Sequence, residues 1–231
     1  MDIRVSNGSR RMIRRRGRAM GWKDFLKRFE HHGLGLRRIM AGAAVVLALG
    51  LPMGEAKAQT QEAAACVQRI GNDTLRAAQV GSAQAFYSVI RQHTDSDAVA
   101  MFSLGQYRKL LPDERRSDYV RLIELFIAQT FADNYRKFRA AEIVVEGVAP
   151  QGNTYNVQTK LIFLGGRPSQ KVIWRVTPDC KIIDVNVTNV WLGQLLRSSV
   201  TGAIQKGGQR IDAAFTYLAP SGAAPDVKIN R

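Results

Sequence analysis

The stretch Thr154-Tyr155-Asn156-Val157-Gln158-Thr159-Lys160-Leu161-Ile162-Phe163-Leu164 decides the fold. Tyr155, Val157, Thr159, Leu161 and Phe163 fall on every second position, with Asn156, Gln158 and Lys160 between them. Successive side chains of a strand point to opposite faces, so this alternation predicts a strand with one dry face. Its neighbours repeat the pattern. Upstream, Ala141–Val148 is β-rich and Pro150-Gln151-Gly152-Asn153 reads as a turn. Downstream, Gly165-Gly166-Arg167-Pro168 turns the chain into Gln170–Thr177, with Val172, Trp174 and Val176 on one side. Pro178-Asp179 turns it again into Cys180–Val190, where Ile183, Val185 and Val187 face together and Asp184, Asn186 and Thr188 lie opposite. Four strands joined by short turns predict an antiparallel meander.

A dry sheet face needs a cover, and the flanking sequence supplies helices. From about Gln61 to Phe138 the apolar period is helical. The clearest helix starts near Pro112-Asp113-Glu114, a proline and two acids suited to a first turn. It places Tyr119, Leu122, Ile123, Phe126, Ile127, Thr130, Phe131, Tyr135 and Phe138 on one side. Arg121, Glu124, Gln129, Asp133, Arg136 and Lys137 fall on the other. After the sheet, a helix is expected from Trp191 to Lys206, stopped by Gly207-Gly208, and a short one over Ile211–Leu218. Helices, then strands, then helices predict an α+β fold: a twisted four-stranded antiparallel sheet wrapped by helices on one face. Residues 59–219 are expected to form one domain, followed by a flexible tail, 220–231.

The net charge of +15 suggests nucleic acid, but its distribution does not. Residues 1–58 hold 13 of the 34 basic and 4 of the 19 acidic side chains, leaving 21 and 15, a net of +6. No dense cationic stripe remains, so no nucleic-acid partner is expected. The basic stretch ends in Arg37-Arg38, and an uncharged run, residues 39–51, leads to Ala56-Lys57-Ala58. A positive flank, a short apolar run and small residues at −3 and −1 predict a secretory signal peptide cleaved after Ala58. The apolar run is short of the roughly 20 residues of a membrane-spanning helix. A retained signal anchor is the alternative. The only cysteines, Cys66 and Cys180, lie beyond the cleavage point. An exported pair can bridge, or the two can stay as separate buried thiols; both readings stand.

Motifs that carry chemistry are missing. His93 is the single histidine after residue 58, in the polar helix end Arg91-Gln92-His93-Thr94-Asp95. No nucleophile elbow, phosphate loop or zinc-binding helix is present, and Asp179, Asp184 and Asp212 fall where elements turn or face water. No catalytic residue, metal site or cofactor is therefore expected.

Larger patterns carry a resemblance. Ala100-Met101-Phe102-Ser103-Leu104-Gly105-Gln106-Tyr107-Arg108 is similar to an A-x-F-x-L-G-x-Y signature, led in by Asp97. Pro112-Asp113-Glu114-Arg115 then opens a helix in which Phe126 precedes Tyr135 and Phe138. Trp174 to Val187, with Ile182-Ile183-Asp184-Val185, resembles a W-x-V and I-x-D-V strand pair. Ile204-Gln205-Lys206-Gly207-Gly208, followed by Ile211-Asp212-Ala213, resembles an I-x-x-G-G ending. In this order the segments resemble the MlaC family, the toluene-tolerance or periplasmic phospholipid-binding proteins. Arg108-Lys109 departs from it where relatives often carry a Trp, and the cysteines are not among the features that carry the likeness.

The resemblance implies an NTF2-like cone with an apolar cavity between sheet and helices. It implies a monomeric periplasmic carrier of phospholipid, exchanging with an outer-membrane lipoprotein complex and an inner-membrane ABC transporter and maintaining outer-membrane lipid asymmetry. The expected slot has Ile123, Phe126, Ile127 and Phe131 on the long helix facing Val157, Leu161, Val172, Trp174, Val185 and Val187 on the sheet. Trp191 and Leu195 are expected at its mouth. Added bulk at Val157 or Val185 is expected to displace lipid and leave the fold intact. Two rival readings are an NTF2-like enzyme, with a compact pocket holding a carboxylate of raised pKa, and an adaptor whose core is simply filled.

Overall fold

The computed structural model describes residues 53–138 and 140–219. The basic leader with its apolar run 39–51, the tail 220–231 and the side chain of Phe138 lie outside what it describes. Three helices come first: α1 (Met53–Val80), which runs across the expected cleavage point at Ala58, then α2 (Ala83–His93) and α3 (Ser96–Leu104). Two 3-10 turns, Gly105–Leu110 and Asp113–Arg115, lead into α4 (Arg116–Asp133) and α5 (Tyr135–Phe138). The strands are β1 (Ala140–Gln151), β2 (Thr154–Phe163), β3 (Gln170–Val176), β4 (Ile182–Val187) and β5 (Val190–Trp191). Helices α6 (Leu192–Lys206) and α7 (Asp212–Leu218) close the order. No helix of the described residues is long and apolar enough to cross a membrane.

Local chemistry places the helix starts. Ser82 accepts the Ala85 N–H at 3.2 Å and Asp95 accepts the Ala98 N–H at 3.0 Å, each satisfying a donor that the first turn leaves unpaired. The helix expected from Pro112 begins instead as the 3-10 turn Asp113–Arg115, after Pro112 in extended conformation at ψ 145°.

The sheet is antiparallel throughout, in the order β1-β2-β3-β4-β5. Val157 lies opposite Val148 on one side and Trp174 on the other, and Trp174 lies opposite Val185. The dry face therefore continues across four strands. The fifth corrects the expected count. Thr188 and Asn189 take φ of 50° and 64°, and this left-handed two-residue turn folds Val190–Trp191 back on β4. Asn tolerates such backbone, but a β-branched Thr does not advertise it. Trp191 thus ends a strand, and α6 begins at Leu192.

Apolar burial falls into two clusters. The main core unites Val67 and Ile70 of α1, Leu104 of α3 and Tyr119 and Ile123 of α4 with Val157, Val176, Leu196, Val200, Ile204 and Leu218. A smaller one joins Ala77 and Ala78 of α1, Phe86 of α2 and Ala128 of α4, with the Phe86 and Phe131 rings 5.7 Å apart. Helix α4 serves both. Its Tyr119 and Phe126 meet Phe215 and Tyr217 of α7 at 5.6 and 5.5 Å, while Phe131 turns to α2. Neighbours on two sides also explain why Glu124, expected to face water, is 9% exposed. Cys66 on α1 and Cys180 in the β3–β4 turn are joined in a disulfide, their Cα atoms 5.8 Å apart.

Candidate functional site

A cavity of about 160 Å3 opens at the seam between the two clusters. From the small cluster's side, Phe86, Val89 and Ile90 of α2 and Phe131 of α4 form the wall. From the main core's side come Leu75, Ile143, Leu161, Val172, Trp174, Val187 and Leu196. The period of two puts the strand residues there together, because Leu161, Val172, Trp174, Val185 and Val187 share the dry face.

Four threonines border the cavity, and three spend their hydroxyls elsewhere. Thr74 donates to the Ile70 carbonyl at 2.8 Å and Thr130 to the Phe126 carbonyl at 2.7 Å. Thr159 donates to the Val172 carbonyl at 3.2 Å and accepts the Trp174 indole N–H at 2.9 Å. With their hydroxyls engaged, these side chains have little hydrogen bonding left to offer a guest. Such a wall offers shape and apolar contact and almost no hydrogen bonding.

Among the described residues Asp184 is the one ionisable side chain on the wall. Half-buried rather than facing water as expected, its Oδ1 accepts the N–H groups of Val185 and Gly193, both at 2.8 Å. Burial pushes its carboxyl above the ordinary aspartate value, against the pull of those two donors and of Arg175. Trp191 gives α6 no side-chain cap, so Asp184 caps that helix from β4. Gly193 is bare for this reason: a Cβ there would come 3.0 Å from Asp184 Oδ2.

Seven of the twelve slot residues expected from sequence line the cavity: Ile127, Phe131, Leu161, Val172, Trp174, Val185 and Val187. Five do not. Ile123, Phe126, Val157 and Leu195 are buried in the main core, and Trp191 lies beneath the Arg175 guanidinium, 4.1 Å from its ring centre. Helix α2 falls within the stretch expected to be helical but was not expected on the wall, although Phe86, Val89 and Ile90 follow the three-and-four spacing of a helix face. Outside the cavity, His93 Nε2 and Asp73 Oδ2 are 2.7 Å apart, joining α2 to α1. The buried hydroxyls of Ser103 and Tyr119 meet at 2.6 Å, and burial holds the Tyr119 phenol above its usual value despite that contact. Among the described residues no group of His, Cys, Asp and Glu could hold a metal ion.

A model of the family described as MlaC protein matches residues 60–219. The chain belongs to the MlaC family. Among solved structures, this MlaC-family chain is similar to the phospholipid-binding protein from Ralstonia solanacearum, a structure in complex with a phospholipid. The two superpose with a TM-score of 0.57 at 16% identity, over 68% of this chain and 94% of that one. At such identity the likeness is one of fold. None of the curated proteins matches the MlaC-family chain.

Proposed function

We propose that this MlaC-family protein is a periplasmic carrier that holds a phospholipid, or a similar lipid, by its acyl chains in the seam cavity. It shuttles that lipid between an outer-membrane lipoprotein complex and an inner-membrane ABC transporter, and so maintains outer-membrane lipid asymmetry. The observation that carries this reading is the wall itself: apolar side chains from sheet and helices, with three of its four threonine hydroxyls bonded to backbone carbonyls. Two acyl chains of roughly 15 carbons each cost about 20 kcal/mol or more to expose to water, at about 0.8 kcal/mol per methylene. A carrier must keep them dry. Residues 1–58 act as the export signal, and 59–219 as the lipid-binding domain.

The cavity's size says how loading works. An apolar hole of about 150 Å3 admits a benzene-sized guest, and the cavity here is about 160 Å3. Acyl chains are several times larger, so loading parts the walls. They part at the seam, where the cavity already lies between residues of the two clusters.

Asp184 favours one rival, an enzyme with a raised-pKa carboxylate in a compact pocket. Its bonds answer that reading, since Oδ1 is committed to two backbone donors and, among the described residues, the wall holds no second titratable group. Native mass spectrometry of protein purified from the periplasm tests the proposal. One lipid per chain is the expected result; protein that stays lipid-free after gentle isolation refutes it.

A further inference from the structure

The outer side of the α3–α6 pair carries a patch that the cavity does not account for. Three large apolar side chains are exposed among the described residues. Two of them, Phe102 at 38% and Leu110 at 47%, belong to α3 and the 3-10 turn after it. Cations surround them. Arg108 and Lys109 are exposed beside Leu110, and the Arg197 guanidinium of α6 lies 5.2 Å from the Phe102 ring centre. Gly105 makes that stacking possible, since a Cβ there would come 2.8 Å from Arg197 Nε. Among the described residues Arg108, Lys109 and Arg197 take part in no ion pair, although Arg108 adds its pull on Asp97 to that of Arg116. The nearby acids are taken up: Asp97 by Arg116, and Asp212 by Arg115 and Arg210. Asp113 also lies within the field of Arg116.

Position gives the patch a use. Val99, one turn before Phe102 on α3, and Leu196, next to Arg197 on α6, both line the cavity. The same two helices thus border the cavity and bear the patch close beside it.

We propose that this patch docks the protein on an anionic bilayer, with Phe102 and Leu110 entering the interface and Arg108, Lys109 and Arg197 meeting lipid phosphates. The inference rests on the carrier reading and adds the surface that holds the carrier at the membranes in which those complexes sit. Two apolar side chains cover far less than the roughly 1,200 Å2 of a stable protein interface. On a charged membrane, by contrast, each cation and each apolar group adds its own share.

The test is co-sedimentation of the mature protein with sucrose-loaded vesicles, of phosphatidylglycerol and phosphatidylcholine in equal parts or of phosphatidylcholine alone. The wild type is expected to bind the anionic vesicles and to lose most of that binding in high salt. Arg108→Ala/Lys109→Ala lowers the affinity by about 25-fold, at roughly fivefold per cation. Phe102→Ser/Leu110→Ser leaves a weaker binding that salt abolishes entirely. Melting temperature and co-purified lipid are measured for each variant, and both stay at wild-type levels because no altered residue lines the cavity. Equal binding to both vesicle types, or unaltered binding by both variants, overturns the proposal. So does a wild type that binds neither vesicle, above all if the variants then fail to exchange lipid with a membrane-protein acceptor, which would assign the patch to a protein. Lipid-free protein that still sediments with anionic vesicles would refute the carrier reading and leave the docking surface standing.

Discussion

Val185 and Val157 stand on the same dry face, one strand apart from Trp174 on either side, yet the structure assigns them opposite responses to added bulk. Val157 is fully buried in the main core and does not border the cavity, whereas Val185 borders it and is half-buried. Val157→Trp must push apart packed neighbours. Overpacking of this kind costs about 1–3 kcal/mol, and at about 2–4 °C per kcal/mol for a domain of this size the melting temperature falls by up to ~12 °C. Val185→Phe projects into empty space, so the melting temperature of delipidated protein moves by less than ~4 °C. Its cost falls on the guest. A ring that excludes about three or four methylenes, at about 0.8 kcal/mol each, removes roughly 3 kcal/mol of binding, or about a hundredfold in affinity. The assay is lipid per protein after purification, beside thermal unfolding of delipidated wild type and both variants. Full lipid content in Val185→Phe, or a collapse of its melting temperature to that of Val157→Trp, would refute the placement of the lipid in this cavity.

Other predictions concern the chain's processing and its charges. N-terminal sequencing of periplasmic protein is expected to begin at Gln59; intact leader in the membrane fraction would contradict cleavage after Ala58. Reducing the Cys66–Cys180 bond, which spans 114 positions, should lower stability by about 4–5 kcal/mol in the chain-entropy view. Denaturant titration with and without a phosphine reductant measures this, and overlapping curves would count against it. Asp184 has a folded pKa above its unfolded one, so its ionisation opposes folding; that cost is absent below the ordinary aspartate range and complete at neutral pH. Asp184→Asn keeps an oxygen for the Gly193 N–H and should melt no lower than wild type at pH 7, with a flatter stability profile from pH 4 to 7. A large loss at pH 7 would mean that the charge itself holds α6. Asp97, held below its usual value chiefly by its hydrogen bond from Arg116, works in the opposite direction. Its contribution is present above the ordinary aspartate range and is lost as pH falls through the lowered folded value, so Asp97→Asn should mainly blunt acid denaturation.

Alternation made the sheet legible because each side chain on Thr154–Phe163 answers to one face, and the partners of that face follow from the register. The cavity wall contributed by β2, β3 and β4 was readable for the same reason. Helix α4 was harder. A period of 3.6 marks which residues are apolar but not which neighbour each one meets, so Ile123 and Phe126, packed toward α7, look the same in sequence as Ile127 and Phe131 beside the cavity. The α2 wall escaped because an 11-residue amphipathic helix has many possible places to pack. The burial of Asp184 escaped because one of its two donors comes from nine positions away, where a glycine gives no hint that it is touching a carboxylate.

The bond between Cys66 and Cys180 also makes a ring of covalent chain. Helices α2 to α5 and strands β1 to β3 lie within that ring, whereas β4, β5, α6 and α7 lie beyond it. A protease that cuts after the exposed Lys109 opens the ring without releasing a fragment, and the nicked protein runs as one band until it is reduced. A cut after the exposed Lys206 falls beyond the ring and sets free the segment bearing Phe215 and Leu218. The cavity is therefore built from two halves with unequal tolerance of damage: the walls from α2, α4 and β1–β3 survive a single nick as one molecule, and the wall from β4 and α6 hangs on an unbroken chain.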